Sequence, residues 1–228
     1  LTHWRSHTQI MAPLRHENVI RLHGGCWSEG ADKLCIVLEL APRGSIKSLL
    51  GGRGMRELGT WASPRFDLAL GIAKGMKYLH HELNEPLIHR DIKPDNVLMP
   101  EGKPVISDFG IALAVGAAGG DRMTETGLSL GTPHYMSPEQ ATGDQTVVRS
   151  TDIYALGAVL YEMLVGEPPY TGATAQAVLG RIIAGELASA TKERASVPAN
   201  VDAVIRKSLE KLPADSFRSA EDFANALA

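Results

Sequence analysis

The stretch His89-Arg90-Asp91-Ile92-Lys93-Pro94-Asp95-Asn96 gathers carboxylate, cation and amide within eight residues. Asp108-Phe109-Gly110 follows, its aspartate seventeen residues after Asp91, and Ser137-Pro138-Glu139 stands further on. Phosphoryl transfer asks few groups of a protein. It needs a carboxylate to orient the attacking hydroxyl, oxygen ligands for Mg²⁺, and a cation near the moving phosphoryl. Asp91 can supply the first, Asn96 with Asp108 the second, and Lys93 the third. Asp91 and Asn96 are five apart on a loop between two short strands, which lets both point into one cleft. Magnesium prefers hard oxygen ligands, and an amide plus a carboxylate suit it.

These residues sit in a chain of ordinary globular composition. It has 228 residues, 44% hydrophobic and 21% charged, with a net charge of −3. Disorder, collagen and coiled coil are excluded. The slight acidity gives no support to a nucleic-acid partner held by phosphate neutralisation, or to an anionic membrane surface. The longest apolar stretch, 154–165, is broken by Glu162 and falls short of a membrane span. Two cysteines make no disulfide framework, which predicts a reducing, cytoplasmic setting. The first residue is Leu1, which fits a fragment of a longer product.

The elements that must position the chemistry follow from periodicity and punctuation. Trp4, Ile10, Met11 and Leu14 predict a helix over 2–12, ended by Pro13. Strands are predicted over 19–27 and 34–40, and the apolar run Ile36-Val37-Leu38 predicts a strand covered on both faces. Cys26 and Cys35 fall on these neighbouring strands, where burial is expected. A short helix over 45–50 is read with Ser45 as its cap, followed by a loop at Gly51–Gly54. A long helix is read from Ser63 to about Leu83, with Ser63 as cap, Pro64 first, and Phe66, Leu68, Ile72, Met76 and Leu79 on its apolar face. Strands over 97–99 and 104–107 flank a turn at Glu101-Gly102. The segment 115–130 shows no period and reads as a mobile loop. Helices are predicted near 150–165, 174–185, 201–210 and 219–227, with Asp152 as an N-cap beside Ser150 and Thr151. His80, His81 and His134 show no metal spacing and read as surface or packing residues. The fold class is α+β, richer in helix than in strand.

The signatures H-R-D-x-K-x-x-x-N, D-F-G and, as S-P-E, A-P-E occur in order and in register. On them the chain resembles a protein kinase from the helix usually called αC to the end of the domain. The resemblance implies a protein-kinase-like fold with an incomplete small lobe. Residues 1–41 would be what remains of the N-lobe with the hinge, and 42–228 the C-lobe. It implies that Asp91 is the catalytic base, that Lys93 contacts the γ-phosphate of ATP, and that Asn96 and Asp108 bind Mg²⁺. Thr132 would help to hold Asp91 and Lys93. Glu39 and Ala41, with Leu40, match the hinge that meets adenine through backbone groups, and Leu38 the gatekeeper. Ser45 would meet the ribose and Leu98 pack under the adenine. Met11, Leu22, His89 and Phe109 would stack as a spine anchored by Asp152, and Arg90 would receive a phosphorylated loop residue. Lys93-Pro94 and Gly131-Thr132-Pro133 resemble the serine/threonine branch, so the implied partner is a protein with Ser or Thr acceptors.

Departures from the family pattern open an alternative. No G-x-G-x-x-G occurs in the 228 residues, and the β3 lysine is missing. The αC glutamate falls on His7, which cannot pair with a lysine. The late arginine that bridges the A-P-E glutamate falls on Ser216, with Arg218 two residues on. The alternative to an active enzyme is therefore a catalytically impaired, pseudokinase-like binding or scaffold module. Residues up to about 98 resemble tyrosine-kinase-like enzymes, and those from about 99 onward resemble bacterial Ser/Thr kinases.

Overall fold

The computed structural model describes residues 10–28, 33–50, 59–61, 63–109, 133–144 and 148–228. Most of the helix predicted over 2–12, the loops at 51–54 and 115–130, His7, Gly110, Thr132 and the loop threonines Thr124 and Thr126 lie outside these residues.

Strands β1 (Leu22–Ser28) and β2 (Lys33–Leu38) form an antiparallel hairpin with an irregularity between Leu22 and Gly24. β1 starts later than predicted because Val19 and Ile20 pair elsewhere. Val19 bridges Ile106, and the Ile20 N–H donates to the Ile106 carbonyl at 2.8 Å. The apolar run in β2 is not covered on both faces, since Ile36 is 41% and Val37 51% exposed. Cys26 and Cys35 are exposed as well, against the expectation of burial.

Helix α1 (Ile46–Leu50) follows Ser45 as expected. β3 (Gly59–Thr60) pairs with β4 (Ser63–Pro64), which takes Ser63 out of the capping role. α2 (Arg65–Lys77) begins at Arg65 with Pro64 in the cap position and no side-chain cap. Its predicted stripe is largely correct: Leu68, Ile72, Met76 and Leu79 are buried, and Phe66 is half-buried. A π turn, Tyr78–Glu82, extends the helix and carries the fully buried His80.

β5 (Val97–Leu98) and β6 (Val105–Ile106) form a second antiparallel hairpin through a turn where Glu101 and Gly102 have positive φ. This hairpin lies against α2 because α2 offers it no side chain at Gly75. A Cβ there would stand 2.7 Å from the Asn18 carbonyl oxygen and 2.8 Å from Ile106 Cδ1. That carbonyl accepts the Ile106 N–H at 2.9 Å, so any displacement reaches the strand that leads to Asp108. Gly75→Ala should lower stability by about 1–3 kcal/mol. Gly180→Ala, with nothing within 4 Å of its Cβ, should be neutral or stabilising by up to ~1 kcal/mol. Denaturant midpoints of the two variants check this, and equal midpoints would refute it.

The remainder is helical. α3 (Pro138–Ala141) starts with a capping box between Ser137 and Gln140. α4 (Arg149–Val165) is buried from Thr151 through Leu164, so it is a core helix covered on all sides, with Asp152 and Glu162 as its buried charged residues. It ends at Gly166, whose φ of 107° closes the last turn. α5 (Ala175–Ala184) is capped by Thr174 and α8 (Ala220–Leu227) by Ser219, each accepting a backbone N–H two or three residues into its helix. α6 (Ala190–Glu193) and α7 (Ala199–Ser208) complete the set. α7 packs on α4, and α8 packs on α2. Among the described residues no helix is long and apolar enough to cross a membrane.

Candidate active site

The core of the site is a short loop folded on itself. Pro94–Asn96 makes a single 3₁₀ turn. That turn brings Asn96 back onto Asp91, and Asn96 Nδ2 donates to the Asp91 carbonyl at 2.8 Å and to its Oδ2 at 3.0 Å. Lys93 Nζ stands 2.7 Å from the same Oδ2. Both donors therefore fall on one carboxylate oxygen, while the Asp91 side chain remains 40% exposed. Asn96 is buried, with its amide nitrogen committed.

Asp108 is coupled to this loop through Ser107. The Ser107 N–H and Oγ both donate to the Asn96 carbonyl, at 2.8 and 3.1 Å, and Oγ lies 3.4 Å from Asp108 Oδ2. Asp108 has φ of 56° and is exposed. A left-handed backbone at an aspartate costs of order 1–3 kcal/mol and persists only where neighbours enforce it. The donor set, one buried amide and one exposed carboxylate joined through Ser107, fits a hard cation that completes its shell with phosphate oxygens or water. No cluster of three or more His, Cys, Asp or Glu suited to a metal occurs among the described residues.

The loop is held from below by Asp152. Its Oδ2 accepts the His89 N–H at 2.8 Å and lies 2.8 Å from His80 Nε2; its Oδ1 accepts the Arg90 N–H at 2.8 Å. Asp152 lies inside the first turn of α4, and Val148 is the residue at the cap position. The N-cap reading is thus corrected, because the buried carboxylate is fully used by the 89–90 backbone and His80. Arg90, at φ of 69°, is gripped on its other side by Gln140 Nε2, which donates to its carbonyl at 2.9 Å. The capping-box glutamine thereby ties α3 to the catalytic-type loop.

His89 is fully buried and packs against Phe109, with ring centroids 5.2 Å apart and the planes tilted by 46°. Its Nδ1 accepts the Asp91 N–H at 3.3 Å and its Nε2–H donates to the Ser107 carbonyl at 2.9 Å. That pair of bonds fits one neutral tautomer and no cation. Burial holds its pKa below the ordinary 6.5, against weaker upward pulls from Asp152, Ser107, Asp91 and Asp108. The unfolded chain therefore binds a proton more readily than the folded one. The stability from His89 is present above about pH 6.5 and is lost as pH falls below it. The gap in unfolding midpoint between the wild type and His89→Gln should shrink from about pH 7.5 to about pH 5. A constant or widening gap would contradict it.

On the other side, Ala41–Ser45 turns over Leu98. Gly44 N–H donates to the Ala41 carbonyl at 3.0 Å, Met99 N–H to the Gly44 carbonyl at 2.8 Å, and Ser45 bridges Leu98. The Glu39 N–H is used by the Arg21 carbonyl at 3.0 Å. Glu39, Ala41, Ser45 and Leu98 are half-buried, and Leu40 is 81% exposed.

Sequence reasoning missed several participants. His80, Ser107 and Gln140 hold the loop, and their signal was only adjacency to the motifs. Glu162, buried in α4, is paired with Lys47 Nζ at 2.9 Å and with the Tyr135 hydroxyl, whose pKa is raised by burial and then by this hydrogen bond. The Ser216 corner leaves Glu139 partly open to solvent. Glu139 is half-exposed and accepts the Thr151 hydroxyl at 2.7 Å, while Arg218 is exposed and Ser216 Oγ donates to the Ser208 carbonyl at 3.4 Å. Glu139 has turned towards water and a hydroxyl, so the cost of lacking an arginine is smaller than for a fully buried carboxylate.

The profile of the protein kinase domain family matches residues 2–222. The chain belongs to the protein kinase family. This kinase chain is 36% identical over 167 residues to receptor-like protein kinase 7 of Arabidopsis thaliana, covering 73% of the chain and 17% of that protein. It is 38% identical over 152 residues to serine/threonine-protein kinase PknB of Mycobacterium tuberculosis, covering 66% and 24%. With serine/threonine-protein kinase PrkC of Bacillus subtilis it shares 32% identity over 220 residues, 96% of the chain and 32% of that protein. The kinase chain thus spans a third or less of the length of these relatives.

Proposed function

We propose that this chain is the catalytic core of a serine/threonine kinase that transfers the γ-phosphoryl of ATP to Ser and Thr hydroxyls of protein substrates. The observation that supports it is the Lys93–Asp91–Asn96 cluster coupled through Ser107 to Asp108. With Oδ2 occupied, Asp91 Oδ1 is the oxygen that orients the acceptor hydroxyl and takes its proton as the new oxygen–phosphorus bond forms, while the bond from the γ-phosphorus to the bridging oxygen breaks and ADP leaves. Lys93 lends positive charge to the moving phosphoryl. Mg²⁺, held by Asn96 Oδ1 and Asp108, would neutralise phosphate charge when bound. The backbone of Glu39 and Ala41 would meet adenine, Leu98 would pack beneath it, Ser45 would reach the ribose, and Thr132 would support Asp91 and Lys93. We divide the chain at this hinge, 1–41 and 42–228, and assign the reaction to the cytoplasm.

A second reading, a scaffold without turnover, draws on His7 at the position of the αC glutamate. Positioning and charge stabilisation supply nearly all the catalysis here, so the 228 residues alone should turn over well below the ~1–100 s⁻¹ of typical kinases. The two readings separate on nucleotide binding. Calorimetric titration should show ATP binding with Mg²⁺, weakened on chelation and in Asp108→Ala. Affinity that ignores both Mg²⁺ and Asp108 would refute the proposed metal site.

A further inference from the structure

The β1–β2 hairpin carries chemistry that the candidate active site does not use. Cys26 and Cys35 are direct partners across the antiparallel pair. Both are free thiols and both are exposed. Directly opposed residues in such a pair have Cβ atoms about 4.5–5.5 Å apart. A disulfide needs roughly 3.5–4.5 Å, so a small local adjustment of twist joins the sulfurs. Their proximity has an electrostatic signature too: Cys35 raises the Cys26 pKa by its charge and then by a hydrogen bond between the thiols. Among the described residues no third metal-binding group joins them. The flanking Ile36 and Val37 are themselves exposed, which leaves the pair open to a small solute oxidant.

We propose that Cys26 and Cys35 form a redox modification site, a cross-strand dithiol that hydrogen peroxide or a small disulfide oxidises to an intrachain disulfide. With peroxide, one thiolate sulfur attacks the O–O bond. A sulfur–oxygen bond forms, the O–O bond breaks, and the released hydroxide leaves as water after taking a proton. The second sulfur then attacks the sulfenic sulfur, the S–S bond forms, the sulfur–oxygen bond breaks, and a second water departs. Two thiols lose two electrons, and the peroxide gains them. With oxidised glutathione, one thiolate displaces glutathione to give a mixed disulfide, and the second thiolate displaces the other glutathione.

The site needs no nucleotide and is independent of the function proposed above. Its position still gives it a consequence. β2 runs directly into Glu39, whose N–H is bonded to the Arg21 carbonyl at the foot of β1. A cross-link between the strands therefore restrains the segment that leads to Ala41. Backbone amides of β1 and β2 should exchange more slowly with solvent in the oxidised chain.

The test is to expose the reduced chain to peroxide or oxidised glutathione, quench with an alkylating agent, and weigh the intact protein without reductant. The expected result is the loss of two hydrogens, no alkylation, and one cross-linked peptide that joins Cys26 to Cys35. Cys26→Ser and Cys35→Ser should each take up a single glutathione instead, which shows that both thiols are reachable. Two glutathiones on the wild-type chain, cross-linked dimers as the main product, or two thiols still open to alkylation under conditions that modify the single variants would each overturn the proposal. Slower amide exchange in the oxidised chain would support the restraint, and unchanged exchange would refute that part.

Discussion

Replacing Asp152 with alanine should destabilise the domain by about 3–5 kcal/mol. The carboxylate is almost fully buried and accepts from two backbone N–H groups, at His89 and Arg90, while also contacting His80 Nε2. Its loss strands those buried donors, and each unsatisfied buried donor costs about 1–3 kcal/mol. The void beneath the 89–90 backbone adds to the penalty. Arg90 is held at positive φ between Asp152 and Gln140, so the released backbone should relax and take Asp91 out of position. Asp152→Asn tests the assignment more finely. One amide oxygen can still accept, but the NH₂ group must face a donor, so its cost should lie between zero and that of alanine. Chemical denaturation of the three proteins measures this. An Asp152→Ala midpoint equal to the wild type would show that the pair of N–H bonds contributes little.

Asp91→Asn should lower phosphoryl transfer by about 10²–10⁴-fold, the usual contribution of a positioned general base. The geometry says why the isostere fails. Lys93 and Asn96 both donate to Oδ2, so the asparagine oxygen is drawn to that position. Its NH₂ then faces the place of Oδ1 and offers a donor where the acceptor hydroxyl needs an acceptor. Nucleotide affinity should change far less, because Asp91 is not among the proposed Mg²⁺ ligands. Rates from single-turnover experiments and affinities from titration separate the two effects. A matched fall in both would show that the substitution damages binding instead of the chemical step.

What could be read from the sequence was the local part of this arrangement. Asp91 and Asn96 are close in the chain, and a proline-started turn is enough to bring them together. The apolar stripe of α2 followed from periodicity, and the positions of α4, α5, α7 and α8 from the Pro and Gly residues that separate them. Tertiary partners were harder to read. Asp152 carried the signal of a helix start, but its direction is set by backbone groups about 62 residues away in sequence. Nothing periodic announces the π turn that carries His80, because it adds one residue to a turn that otherwise reads as helix. Ser63 looked like a cap and instead pairs with Thr60. The apolar run of β2 does not foretell the exposure of Cys26 and Cys35, because β1 and β2 form a sheet of only two strands among the described residues.

Asp91, held by Lys93 and Asn96 beside Asp108, is the proposed base that directs phosphate from ATP to an aliphatic hydroxyl. The most direct measurement gives the chain γ-labelled ATP, Mg²⁺ and a mixed-acceptor protein, then identifies the labelled amino acids. Slow labelling of serine and threonine that vanishes on chelation and in Asp91→Asn, with nucleotide binding retained, is the predicted result. Label on tyrosine, or label that persists undiminished in Asp91→Asn, would show that Asp91 does not direct the transfer to serine and threonine.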